Sequence, residues 1–170
     1  MLLNLTILGL VILQRLAELF IAHRNTKRLL DNGGVEVSSG HYLLIVAFHT
    51  IWLGGLCYLV WGHQVQWAWA IAYLVLQAAR GWIIAALGSR WTTRIIVVPG
   101  ETLSTAGPYK YFRHPNYMIV AAEIFILPMV FGLWLYAIIM GCINLALLFW
   151  RIREEEAALK PLRTQLPPTD

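Results

Sequence analysis

The stretch from Tyr117 to Trp150 runs for 34 residues with Glu123 as its only charged side chain. As one helix it would extend about 51 Å at about 1.5 Å per residue, against a bilayer hydrocarbon core of roughly 30 Å. It must therefore fold back on itself. Pro128 and Gly132 stand near its middle and suit a tight helical hairpin, with Phe131, Trp134 and Tyr136 placed for the membrane interface.

Three further apolar runs have the length of a span. Tyr42 to Trp61 and Trp67 to Gly88 contain almost no ionised group, and Met1 to Ala22 forms the third. No basic residue precedes that first run and no small-residue cleavage site ends it, so it reads as a retained helix and not as a signal peptide. The expected fold is all-α: an integral, multi-pass membrane bundle of about five transmembrane helices, the last two forming a hairpin, in a single membrane-embedded domain over residues 1–170. Composition agrees, since 59% of the residues are apolar and 13% charged, where a soluble domain carries roughly a quarter charged residues.

Apart from Arg15 and Arg80 within the spans, lysine and arginine fall in three places: Arg24, Lys27 and Arg28 after the first run, Arg90 to Arg113 after the third, and Arg151 to Arg163 after the last. The link from Gly62 to Gln66 and the turn near Gly132 carry no charged residue. The positive-inside rule then puts the three basic segments in the cytoplasm and the N-terminus outside. The net charge of +4 follows from these clusters and does not point to nucleic acid. Cys57 and Cys142 lie inside expected spans and read as small buried residues. There is no CxxC, no HExxH and no glycine-rich phosphate loop, so no metal site is expected.

The hairpin returns the chain to the side it left, which brings residues 107–117 near residues 151–159. The first of these belongs to Glu101–Tyr117, ETLSTAGPYKYFRHPNY, a mixture of turn formers, aromatics and cations unusual in a connector. Gly107 and Pro108 set a turn, and Pro115 suits the first turn of the following helix. Tyr109, Tyr111 and Tyr117 offer ring faces and hydroxyls beside Arg113 and His114, a cradle for an adenine-bearing, partly charged ligand. An interfacial aromatic belt with snorkelling bases accounts for the same residues equally well. In the second segment, RIREEEAAL, Arg151 and Glu155 stand four apart on one helical face, an arrangement that an ordinary solvated salt bridge also explains. Asn25 to Gly40, with Asn32, Gly33 and Gly34, reads as a flexible connection or small lid.

Together these segments resemble the isoprenylcysteine carboxyl methyltransferase family. Its pattern is a GxY turn, RHPxY opening a helix, a helical hairpin, and an Arg followed four residues later by Glu inside an acidic run. Here these are Gly107 to Tyr109, Arg113 to Tyr117, and Arg151 with Glu155. The resemblance implies an S-adenosylmethionine-dependent O-methyltransferase with its cofactor site mainly in residues 90–117 and 151–159. Thr102, Leu103, Tyr109, His114, Pro115, Asn116, Tyr117 and Glu155 are implied to bind the cofactor, and Arg151 to meet the methyl acceptor. The implied partner is a lipid-like or prenylated acceptor in the membrane, methylated on a carboxylate or a hydroxyl, in the inner membrane of a bacterium with the site facing the cytoplasm. Glu101 stands where the family often has His, and the tyrosine-bearing tail usual in eukaryotic members does not follow Leu159. Bacterial relatives methylate long-chain polyketides such as alkylpyrones and alkylresorcinols, which widens the acceptors implied.

Polar residues within the spans are functional candidates by default. Arg15 and Glu18 are three apart, Arg80 lies near Gln77, and Glu123 sits in the fourth span. Ion pairs from Arg80 to Glu123 or to Glu18, holding the bundle together, account for them as structural elements. His49 and His63 have no ligand-like neighbours at helical spacing and read as packing or interface residues. Trp91, with Thr92 and Arg94, is placed for a pocket wall. The alternative to an enzyme is a non-catalytic membrane scaffold or transporter subunit, whose polar residues only stabilise the bundle. Orientation is directly testable: with both native cysteines replaced, a cysteine placed in the turn around Gly132 is expected to react with an impermeant maleimide added outside intact cells. Reaction only after the cytoplasmic side is opened would overturn both the hairpin and the orientation.

Overall fold

A computed structural model describes residues 1–37, 39–99 and 105–163. The expected Thr102 and Leu103 contacts, and Glu101, lie outside the described residues. The elements run α1 (Leu2–Asp31), β1 (Val35–Val37), α2 (Ser39–Leu59), α3 (Trp67–Leu87), β2 (Ile95–Val97), α4 (Pro115–Val130) and α5 (Trp134–Arg163), with 3-10 turns at Gly88–Arg90 and Gly107–Lys110. Four helices, all but α4, are long and apolar enough to cross a membrane. Their outward faces leave Leu10, Leu13, Phe20, Leu43, Ile51, Leu74 and Trp82 uncovered, the surface expected of a protein solvated by lipid.

The hairpin falls where Pro128 and Gly132 place it. Pro128 occupies the last turn of α4, and Gly132 follows the helix with φ of 70°. The Leu133 N–H donates to the Pro128 carbonyl at 3.1 Å and the Gly132 N–H to the Met129 carbonyl at 3.0 Å. This is a Schellman closure, which needs a residue at positive φ and so favours glycine. Only Phe131 to Leu133 separate the two helices, and they pack antiparallel along their length.

Two details depart from the sequence reading. The first helix continues past Ala22 through the basic Arg24, Lys27 and Arg28 to Asp31, so most of Asn25 to Gly40 is helix or strand and not a flexible connection. Beyond it, β1 pairs antiparallel with β2, Glu36 opposite Ile96. Arg94, just before β2, clamps the pair: its guanidinium lies 2.8 and 3.0 Å from the two Glu36 carboxylate oxygens and stacks over Tyr42, 4.4 Å from the ring centre. Hydrogen bonding to Glu36 raises the Arg94 pKa, so the guanidinium keeps its charge.

The apolar core occupies the half of the bundle nearer the Gly132 turn, where Leu8, Trp52, Leu56, Tyr73, Leu127 and Phe131 interdigitate. Polar bonds close that end: Asn4 Nδ2 donates to the Val60 and His63 carbonyls, and the Tyr136 hydroxyl to the Trp52 carbonyl at 2.8 Å. Toward the other end lies a buried ionic network. Arg80 of α3 donates to both Glu18 oxygens of α1 at 2.7 Å, through Nε and Nη2, and through Nη1 to Glu123 of α4 at 2.8 Å. Arg15 bridges the same two carboxylates at 2.9 and 3.0 Å. Gln77 donates to the second Glu123 oxygen, and Gln14 to both Glu18 and Gln77. Both pairings foreseen for Arg80 are thus present at once. Arg80→Met leaves Glu18 and Glu123 sharing Arg15 alone and is expected to destabilise the bundle by about 3–5 kcal/mol, the cost of uncompensating a buried charge. Denaturation of the detergent-solubilised protein with sodium dodecyl sulfate checks this, and a loss below about 1 kcal/mol would count against the network as the main tie between α1, α3 and α4.

Candidate functional site

The RHPNY segment enters α4 at its N-terminus. His114 is the N-cap, without a side-chain cap bond, and Pro115 takes the first helical position, where its missing N–H costs nothing. One turn on, Tyr117 stacks on His114 with ring centres 5.7 Å apart and planes at 26°. The GPY turn is held against α3: Gly107 has φ of 55°, and a Cβ there would meet the Ala86 methyl at 2.9 Å and the Trp82 indole at 3.2 Å. Glycine is therefore required both by conformation and by space. The turn seats Tyr109 beside Trp91, Ala22 and Ile83. Burial, and then the negative charge of Glu155, push the Tyr109 phenol pKa up, so it stays protonated.

From the other side, α5 delivers the acidic run and Arg151. Its 30 residues would rise about 45 Å, which carries the last turns well beyond the apolar stretch. The Arg151 guanidinium does not pair with Glu155. Nε donates to the Tyr117 hydroxyl at 3.0 Å and Nη2 to the Thr93 carbonyl at 2.6 Å, with the Tyr117 ring centre 5.5 Å away. His114 meets the acidic run instead: Nε2 is 3.1 Å from Glu156 and Nδ1 is 3.8 Å from Glu155. The 107–117 and 151–159 segments are thus brought together, with His114, Pro115, Asn116, Tyr117, Tyr109, Arg151 and Glu155 all at one end of the bundle.

Glu156 and the Thr93 carbonyl were not singled out from the sequence. Three consecutive glutamates give no basis for choosing which one faces His114, and a backbone carbonyl leaves no mark in a sequence. Trp91 is buried, as a wall residue should be.

Several polar atoms at this end are buried and make no hydrogen bond among the described residues: Asn116 Oδ1, Glu155 Oε2 and the Trp91 indole N–H. Buried polar groups nearly always find partners, so these two acceptors and one donor make this end a candidate for holding a polar ligand. Below them a cavity of about 470 Å³ runs between α1, α2, α4 and α5. Asn116, Tyr117 and Arg151 line its upper end, Ile45, Leu53 and Leu147 its flanks, and Arg15, Glu18, Arg80 and Glu123 its far wall. His114, Tyr109 and Glu155 are not among its walls, so Tyr117 and Arg151 stand between a polar mouth and an apolar chamber. Among the described residues no group of His, Cys, Asp or Glu side chains is arranged to hold a metal ion.

The same segments fall within a match to a known family. Residues 69–161 match the family described as the isoprenylcysteine carboxyl methyltransferase (ICMT) family, a span that includes the GPY turn, RHPNY, the hairpin, Arg151 and the acidic run. The uncharacterized protein YpbQ of Bacillus subtilis (strain 168) is 33% identical over 159 residues, 91% of this chain and 95% of its own. An uncharacterized protein of Haemophilus influenzae (strain ATCC 51907 / DSM 11121 / KW20 / Rd) is 33% identical over 87 residues, 48% of each chain. No solved structure matches the chain significantly. The chain belongs to the isoprenylcysteine carboxyl methyltransferase family, a family of membrane-bound methyltransferases.

Proposed function

We propose that the chain is a five-span, S-adenosylmethionine-dependent O-methyltransferase, a single membrane-embedded domain with its polar mouth toward the cytoplasm, acting on a carboxylate or hydroxyl of a lipid-like acceptor. The observation that carries this reading is the meeting of two unlike regions: the open Glu155 acceptor above, and the largely apolar cavity whose upper end is lined by Asn116, itself an open acceptor, Tyr117 and Arg151.

The residues at the mouth fit the cofactor used by the family. Glu155 Oε2 and Asn116 Oδ1 are open acceptors suited to an ammonium or to ribose hydroxyls, each such bond being charge-assisted where the carboxylate takes part. The His114–Tyr117 stack and Tyr109 supply flat faces for the adenine. Thr102 and Leu103 are assigned to the same site from the family pattern. Bound S-adenosylmethionine supplies an electrophilic methyl group on a sulfonium.

The protein's own work is alignment and exclusion of water. Arg151, fixed by Tyr117 and Thr93, presents the rest of its planar fork to an acceptor oxygen at the top of the cavity. Having accepted from Arg151, the Tyr117 hydroxyl keeps its own hydrogen to donate. A carboxylate acceptor is already a nucleophile and needs nothing further, whereas a phenol or enol must lose a proton, and the carboxylates beside His114 provide a path for it at the mouth. The cavity walls hold an acyl or prenyl chain drawn from the bilayer.

Glu155 and Arg151 divide between the two compartments, so their variants should damage different steps. Glu155→Gln is expected to weaken S-adenosylmethionine binding by about 1.5–3 kcal/mol, the usual worth of a hydrogen bond to a charged group. Arg151→Lys keeps the charge and loses the fork, so it is expected to cut methyl transfer severely while cofactor affinity stays nearly unchanged. Titration calorimetry together with a methyl-transfer assay on both variants reads the two effects. Matching losses below about 1 kcal/mol in both would identify ordinary exposed charges, and an unmutated protein that does not bind S-adenosylmethionine would favour a membrane scaffold.

A further inference from the structure

The deeper part of the cavity carries hydrogen-bond donors that no described residue takes up. Asn144 on α5 and Trp52 on α2 are each 2% exposed, and Asn144 Nδ2 and Trp52 Nε1 have no partner. Arg15 on α1 spends both terminal nitrogens on Glu18 and Glu123; its Nε makes no hydrogen bond, but the buried Tyr73 hydroxyl lies against the same guanidinium and offers an acceptor. The Asn144, Trp52 and Arg15 side chains all line the cavity. An unmet donor at membrane depth is costly, because no bulk water is at hand to relieve it, and the Asn144 and Trp52 donors, from two helices of one chamber, call for a partner.

That partner's chemistry and position can be read. The open groups of Asn144 and Trp52 are both donors, so a partner there must accept hydrogen bonds. The nearby charges cancel, Arg15 and Arg80 against Glu18 and Glu123, so the station suits a neutral acceptor such as a carbonyl and not an anion. Tyr117 and Glu123 are six residues apart on α4, and Arg151 and Asn144 seven apart on α5, which puts the station about 9–10 Å below the Arg151 fork. The antiparallel hairpin sets Asn144 close to the level of Glu123. The geometry points to an acceptor lipid with two polar groups: a head held at Arg151 and Tyr117, and a neutral oxygen within the chain, about 10 Å deeper, whose two lone pairs take the Asn144 and Trp52 donors. This rests on the reading of the cavity as the acceptor site and adds selectivity against lipids with plain hydrocarbon tails.

The test compares palmitate with a palmitate bearing a mid-chain ketone about 10 Å from its carboxylate, matching the helical spacing. With the detergent-solubilised full chain, titration calorimetry is expected to show the keto acid binding about tenfold more tightly, the worth of one or two satisfied buried bonds. Asn144→Leu, and separately the milder Trp52→Phe, are expected to bring that ratio down several-fold toward one. Equal affinities in the unmutated protein, binding of neither acid, or a ratio untouched in both variants would overturn the inference. A keto preference in a protein that does not bind S-adenosylmethionine would leave the deep station standing and remove the methyltransferase reading. Methyl transfer to both acids without preference would do the reverse.

Discussion

The Arg80 guanidinium, buried between two carboxylates, is the constraint on which the rest of the bundle depends. It draws α1 and α4 to α3 through bonds of 2.7–2.8 Å, and Arg15 closes the ring from the opposite side. In a bilayer, packing alone gives little preference for one helix neighbour over another, because lipid tails are as apolar as leucine. A charge that must be matched does give one. Two glutamates on different helices and two arginines that each reach both fix which helices touch and in what register. Replacing such a network by apolar groups can be neutral in free energy; its contribution here is to specify the arrangement.

That arrangement separates the molecule into a filled end and an open end. On the side of the Gly132 turn the core is closed by Phe131, Leu127 and Trp52. On the side of RHPNY the same helices stand around a chamber. The β1–β2 pair, clamped by Arg94 and Glu36, ties the segment before α2 to the segment after α3, and Asn25 ties α1 to the Gly88 and Trp91 carbonyls. The open end is thus belted by local polar bonds at its rim and not filled by side chains, so a site can be rigid at its mouth and roomy beneath.

Much of this was legible in the sequence. The hairpin followed from a length that one helix could not use, with Pro128 and Gly132 marking where it bends. The partners of Arg80 followed from the rule that a charge within a span seeks its opposite. The gathering of RHPNY with the acidic run followed from the hairpin alone. What escaped the sequence shares one physical character: it depends on long-range register or on backbone groups. The β1–β2 pair joins VEV to IIV across about 60 residues and shows no local pattern beyond that of any short apolar run. Glu156 facing His114, and the Thr93 carbonyl facing Arg151, are decided by the rotation of α5, which a run of three glutamates leaves open. The extension of α1 to Asp31 runs through residues whose charges mark the end of an apolar stretch but do not end a helix.

The brevity of α4 has a consequence for the bilayer itself. Sixteen residues rise about 24 Å, roughly 6 Å less than an average hydrocarbon core. With the Gly132 turn at one boundary of a bilayer of that thickness, the His114 end would stop short of the opposite headgroup plane. A mismatch of this size can be relieved by local thinning of the leaflet, at fractions of a kcal/mol per ångström, which would draw the surrounding lipids down toward the polar residues. Under the proposed function, an amphiphile in that dimple would bring its head to the level of Tyr117 while its tail stayed among other tails. Its transfer from membrane to protein would then be a sideways step at constant depth, with no passage through water.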